Sequence, residues 1–178
     1  MAEKSIVEKF HCPRWDELPD MDLYMDQVVT LLNSSLELFT APHQGKQITS
    51  TMINNYVKHG IVKSPIKKRY SKRHVAYLIV VCILKSVYSM DEISHLIAVQ
   101  IEKYPQQRAY DYFCAELESC LHSIFNHKKI RHIASCDEGS LTVDLIRNTI
   151  QSVAYTVYVR ERLHSRLEAQ EAEAKEKN

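Results

Sequence analysis

Four side chains, Thr51, Asn54, Asn55 and Lys58, have the types and spacing to recognise another molecule. They recur at i, i+3, i+4 and i+7, so a helix presents them as one stripe. The stripe offers hydroxyl, amide and ammonium groups and contains no carboxylate. Asparagine amides pair with adenine edges in the major groove, while hydroxyls and lysines hold phosphate oxygens. Ser50 and His59 flank the stripe. A second set follows in Lys63, Lys67, Lys68, Arg69 and Tyr70, where Pro65 suits a tight turn or edge and the cations and phenol suit phosphate. A solvated surface is the bland alternative for either set alone. Charge favours the sharper reading. No acidic residue lies between Glu37 and Asp91, an interval holding nine lysines and arginines; with a formal charge of +1 overall, the remainder carries about −8. A basic module in an acidic frame is the electrostatic footprint of polyanion binding.

The elements that must position these groups follow from periodicity. Met52, Ile53, Tyr56 and Val57 form the apolar stripe opposite the polar one, with Thr49 or Ser50 as N-cap and Gly60 as a left-handed stop, which predicts a helix over 50–59. A small β wing is expected over 63–70. The run from about Ser71 to Val87 is apolar on nearly every side and predicts a buried central helix. Ser89 and Glu92 make a capping box for the next helix, with Met90, Ile93, Leu96, Ile97 and Ile101 facing inward. Upstream, Met25, Val28, Val29, Leu32, Leu36 and Phe39 predict a helix from about Asp22 to Phe39. Asp20, Asp22 and Asp26 lie near its start, where the macrodipole favours anions; that role accounts for them without acid–base chemistry. Residues 1–19 form a lead-in whose Trp15 is expected to dock on the core, with an exposed anchor as the alternative.

Downstream, Pro105 opens a helix to about Asn126, and a longer one runs from about Leu141 to Ala172. In the latter Val143, Ile146, Ile150, Val153 and Val157 form a heptad-like seam, while Leu141, Leu145, Val159 and Leu163 add a second apolar face. One face suits the domain and the other a second copy; a single broad core contact is the alternative. The acidic, alanine-rich end from Glu168 reads as a frayed, solvated tail.

The segment 47–97 resembles the DNA-binding head of MerR-type regulators. There a recognition helix ends in an aromatic and a glycine, then come a basic wing with a tyrosine, an apolar helix and a Ser-apolar-acid-Glu-Ile turn. Tyr56, Gly60, Pro65, Arg69-Tyr70, Val75 to Leu84 and Ser89-Met-Asp-Glu-Ile93 stand in those places. The chain is closer still to a domain-of-unknown-function family of low-GC Gram-positive bacteria, on the residues 22–28, 52–65 and 67–78. The resemblance implies a helix-turn-helix and a regulatory role, with no established ligand or operator. It departs from the MerR pattern before the recognition helix, where Thr40 to Lys46 is a loop.

Other classes find little support. No phosphate loop or nucleophile–base set appears, so no enzyme and no cofactor is expected. Cys114, Cys120, His122, His127, His132 and Cys136 fall within 23 residues, yet no pair has the tight C-x₂-C or H-x₃-H spacing, so core thiols and solvated histidines are the better reading than a metal site. Five cysteines form no secreted framework, the N-terminus has no apolar signal region, and no run reaches the eighteen or so apolar residues of a membrane span; a cytoplasmic protein without a membrane partner is expected. With three glycines, five prolines and few alternating runs, the expected fold is mostly α, a MerR-like winged helix-turn-helix with a small β wing, embedded in a helical domain with a long C-terminal helix. The expected organisation is a lead-in and helix (1–46), the head (47–101) and a C-terminal dimerisation or effector region (102–178). The expected function is a homodimeric transcriptional regulator of double-stranded DNA, open to a small-molecule effector. The alternative is a protein-interaction module that reuses the fold to dock an acidic partner.

Overall fold

A computed structural model describes residues 6–176. Among the described residues the chain is helical with no regular strand: α1 (Ile6–Lys9), α2 (Met25–Ser35), α3 (Glu37–Thr40), α4 (Ser50–Lys58), α5 (Lys72–Leu84), α6 (Met90–Lys103), α7 (Gln106–Phe125) and α8 (Leu141–Glu176). The mostly α expectation is borne out, but the β wing is corrected. Only two isolated antiparallel bridges remain, Leu23 with Tyr70 and Ile66 with Arg69. Beyond Arg69 the backbone of Tyr70 exchanges its hydrogen bonds with Leu23 (2.8 and 2.9 Å), so the hairpin holds one hydrogen-bonded pair.

The central helix is α5. Val75, Ala76, Leu78, Ile79, Val81, Ile83 and Leu84 are all buried, as its all-round apolarity requires. α7 and α8 pack along each other, and the seam of Val143, Ile146, Ile150, Val153 and Val157 is buried as expected. One hydrophobic core runs through all three segments of the chain, from Val7 in α1 to Val157 in α8. The lead-in is stitched to α7: Cys12 N–H donates to Glu118 Oε1 (2.7 Å), Arg14 pairs with the same carboxylate (2.7 Å), and Trp15 N–H donates to Asp111 Oδ1 (2.7 Å). Trp15 itself is partly buried, edge-on to Tyr110.

Several boundaries move for physical reasons. The helix expected over 22–39 begins at Met25, because Leu23 is drawn into its bridge with Tyr70 (N···O 2.8 and 2.9 Å). It breaks at Leu36, where φ is −117°, and resumes as α3. The Ser89–Glu92 capping box forms as read, with Ser89 N–H donating to Glu92 Oε2 at 2.8 Å and Glu92 N–H to Ser89 Oγ at 3.3 Å. Ile101 was expected to face inward but is 44% exposed, since only one flank of α6 meets the core. The tail expected to fray from Glu168 continues as helix to Glu176, with its described side chains exposed. At 36 residues, α8 is about 54 Å long.

Near the start of α8, Arg147 forks onto Glu138 (2.7 and 2.8 Å) and donates to Ile133 O and Tyr112 Oη. The guanidinium and the Ser135 amide hold the Glu138 carboxyl down to about 2. A carboxylate depressed on folding adds stability that is complete above its ordinary value of 4.5 and is lost as the pH falls towards about 2. Glu138→Gln should therefore flatten the acid limb of a urea-midpoint profile across that window. An unchanged acid limb would show that the pair contributes nothing to folding.

Candidate nucleic-acid interface

α4 is built by local rules. Thr49 is the N-cap, its side chain accepting from Met52 N–H at 3.3 Å. Of the two cap candidates, this selects Thr49 over Ser50. Thr49→Ala should cost about 1 kcal/mol in urea unfolding, whereas Ser50→Ala should leave stability nearly unchanged; the reverse order would move the helix start by one residue. The other end closes as a Schellman motif. Gly60, at φ +72°, donates to Val57 O (2.9 Å) and Ile61 donates to Tyr56 O (3.1 Å). Ile61 and Val62 then bury, so the chain is pinned to the core directly beyond the helix.

Ile53 and Tyr56 are buried, with Met52 and Val57 packed against the core. Ser50, Thr51, Asn54, Asn55, Lys58 and His59 are all exposed. Among the described residues none of these six side chains makes a hydrogen bond or ion pair, so their polar groups are open to solvent. Burial and the neighbouring thiol raise the Tyr56 hydroxyl well above its ordinary range, and burial pushes the Cys82 thiol up to about 12, so the underside of the helix stays neutral.

Two side chains that sequence reasoning missed position this helix. Asn33 on α2 satisfies both backbone groups of Ile48: its Oδ1 accepts from Ile48 N–H and its Nδ2 donates to Ile48 O, each at 2.9 Å. This amide fixes the chain just before α4 as a neighbouring strand would. Arg160 on α8 donates to Gln44 O (2.8 Å) and Ser86 O (3.3 Å), holding the loop that leads into the helix. That loop spans nine residues, 41–49, between α3 and α4. No local periodicity marks Asn33 or Arg160 for these roles; their partners lie 15 and 116 residues away.

The wing is a two-residue turn. Ile66 and Arg69 exchange both backbone hydrogen bonds (3.1 and 2.9 Å) around Lys67 and Lys68, whose φ angles are +50° and +62°. Positive φ at both central residues is the type I′ hairpin geometry, usually given to Asn and Gly. Here two lysines bear the strain, exposed at the tip; Lys63, before the turn, is exposed as well. Arg69 lies over the exposed Tyr24 ring (4.7 Å) and donates to its hydroxyl (2.8 Å), which stiffens the wing against the residue before α2.

Tyr70 needs correction. It is 3% exposed, its ring stands edge-on to His74 at 5.8 Å, and burial raises its hydroxyl. The bridge to Leu23 turns it inward, so it anchors the wing instead of presenting a phenol to phosphate. The first turn of α5 carries Lys72, Arg73 and His74, cations at the end where the macrodipole disfavours them. Lys72 is neutralised by Asp20 (2.5 Å), while Arg73 is exposed.

The Cys/His set of 114–136 disperses. Cys114 meets Cys12 (Sγ···Sγ 3.1 Å), Cys120 meets Glu116 (3.7 Å), and His132 bonds Glu116, a fully buried carboxylate that also accepts from Ile133 N–H at 2.7 Å. Among the described residues no three such groups stand where they could hold a metal ion. No described helix is long and apolar enough to cross a membrane.

A family model described as a domain of unknown function (DUF1836) matches residues 13–113, from the lead-in through α6 and into α7. No curated protein and no solved structure matches the chain. The match takes in α4 and the 63–70 turn, and the chain belongs to the DUF1836 family.

Proposed function

We propose that this protein is a sequence-specific DNA-binding regulator, with a MerR-like head that reads the major groove through α4 and grips phosphate through the 63–69 turn. The observation that carries the reading is the outer face of α4. Thr51, Asn54, Asn55 and Lys58 are exposed, without partners among the described residues, and set in an acid-free stretch of the chain. Asn54 and Asn55 supply the base contacts, with Ser50, Thr51, Lys58 and His59 around them. Lys63, Lys67, Lys68 and Arg69 supply sequence-independent attraction. A homodimer is supported by the outer face of α8, where Leu141 (88% exposed), Leu145, Val159 and Leu163 lie open, joined by Tyr155 and Leu167.

The test is selection and sequencing of genomic fragments bound at two salt concentrations. An enriched motif with two-fold symmetry is expected, since a two-fold protein reads a palindromic site. Salt-sensitive binding without a motif would leave a non-specific DNA protein. Absence of binding at both salts would transfer the basic face to an acidic protein partner.

A further inference from the structure

Five cysteines are spread through the chain, and the fold brings two of them together. Cys12 lies in the lead-in and Cys114 on α7, 102 residues apart in sequence. Their sulfurs stand 3.1 Å from each other, and both side chains are fully buried. The S–S bond of a disulfide is about 2.05 Å long, so an approach of about 1 Å separates this contact from a bond. The other three thiols meet no second sulfur among the described residues: Cys82 sits beside Tyr56, Cys120 beside Glu116, and Cys136 is exposed.

Burial sets the order of events. The hydrogen bond to Cys114, and then burial, hold the Cys12 thiol well above its ordinary range, so while docked it stays protonated and unreactive. Cys12 is nevertheless on the looser side of the contact. Residues 10–14 belong to no regular element, whereas Cys114 lies inside a helix of 20 residues. The polar anchors of this stretch on α7 are all side chains. Glu118 accepts from Cys12 N–H and pairs with Arg14, Asp111 accepts from Trp15 N–H, and Tyr110 Oη donates to Pro13 O, each at 2.7 Å. A segment held in this way opens at far smaller cost than the helical core beneath it.

We infer that Cys12 and Cys114 are a redox pair, oxidised by hydrogen peroxide to a disulfide that staples the lead-in onto α7 and reduced again by a dithiol. With the lead-in undocked, the Cys12 thiolate attacks a peroxide oxygen and breaks the O–O bond; Cys12 becomes a sulfenic acid and the first water leaves. Redocking returns it to Cys114, whose sulfur attacks the sulfenic sulfur, forms the S–S bond and releases the second water. Two thiols thereby lose two protons and two electrons, and one peroxide becomes two waters. A dithiol reverses the bond by exchange and becomes a disulfide itself. The staple also reaches further. α1 packs on α3, Phe10 stands edge-on to Phe39 at 5.5 Å, and α3 runs into the loop that enters α4, so a fixed lead-in stiffens the approach to the recognition helix. Only that last consequence rests on the DNA-binding reading.

Treatment of the full chain with hydrogen peroxide, read by mass spectrometry, tests the pair. The intact mass should fall by two hydrogens, a non-reducing peptide map should join the Cys12 and Cys114 peptides, and dithiothreitol should restore both thiols. Cys136→Ser, which removes the exposed thiol, should leave the cross-link intact. Because access requires undocking, Glu118→Ala should speed cross-linking roughly 3- to 10-fold, the factor expected when a charged hydrogen bond that closes the segment is lost. A bond made without distortion across a loop of about 100 residues should raise the melting temperature by roughly 5–15 °C, with no rise in peroxide-treated Cys12→Ala. No disulfide after prolonged exposure, oxidation confined to Cys136, a different pairing, a cross-linked protein that melts no higher than the reduced one, or an equal rate in Glu118→Ala would each overturn the proposal. The cross-link is read without DNA, so a protein that forms it yet fails the genomic selection would keep the redox pair and discard the regulator.

Discussion

Alanine at Asn54 or at Asn55 is expected to weaken binding to the selected site by about 1–3 kcal/mol for each bidentate base contact removed, roughly 5- to 150-fold. Random DNA should bind nearly as before, because the proposed phosphate contacts lie on other residues. The asymmetry follows from structure. Both asparagines are exposed, without internal hydrogen bonds, on a helix whose caps and buried face do not involve them. Their removal leaves α4 intact, which circular dichroism and an unchanged melting temperature would confirm. Selection repeated with each variant should show relaxed preference at one position per half-site. Equal losses on specific and random DNA would refute the assignment of base contacts to these two side chains.

Replacing Lys67-Lys68 by Asn-Gly should make the protein more stable and a weaker DNA binder at once. Left-handed φ is costly for lysine, and Asn-Gly is the sequence this turn geometry prefers, so a gain of about 1 kcal/mol is expected in urea unfolding. The same change deletes two exposed cations. Each phosphate contact contributes about 0.9 to the slope of log affinity against log salt, so the slope should fall by nearly 2, on every sequence alike. Lysines kept where Asn-Gly would fold better are what the proposed phosphate contacts of this turn would require. Stabilisation with undiminished DNA affinity would remove the wing from the interface. Loss of affinity without stabilisation would mean that the turn is not strained as its φ angles imply.

Much of this candidate interface was legible in sequence because it depends on short-range rules. The two stripes of α4, its glycine stop and the Ser89–Glu92 box all involve residues no more than about seven apart, and local geometry decides them. The apolar run of α5 likewise declared its own burial, and the seam of α8 its inner face. Thr49 as cap was narrowed to two residues and needed the structure only to choose.

What the tertiary structure decided are the meetings of distant segments. Leu23 pairs with Tyr70, which cancels the start of one expected helix, turns a candidate phosphate ligand inward and reduces the expected β wing to a single turn. Asn33 seats Ile48, and Arg160 with Glu161 grips the loop at His43 and Gln44, so that α4 is aimed by α2 and α8. Glu116 is buried because His132 and Ile133 return to cover it. Periodicity and capping are fixed by neighbours within about two helical turns, so the residues themselves determined which helices form and which faces they bury. The partners of Tyr70, Gln44 and Glu116 are set by which surfaces the packed helices bring together, and that depends on the whole core closing at once.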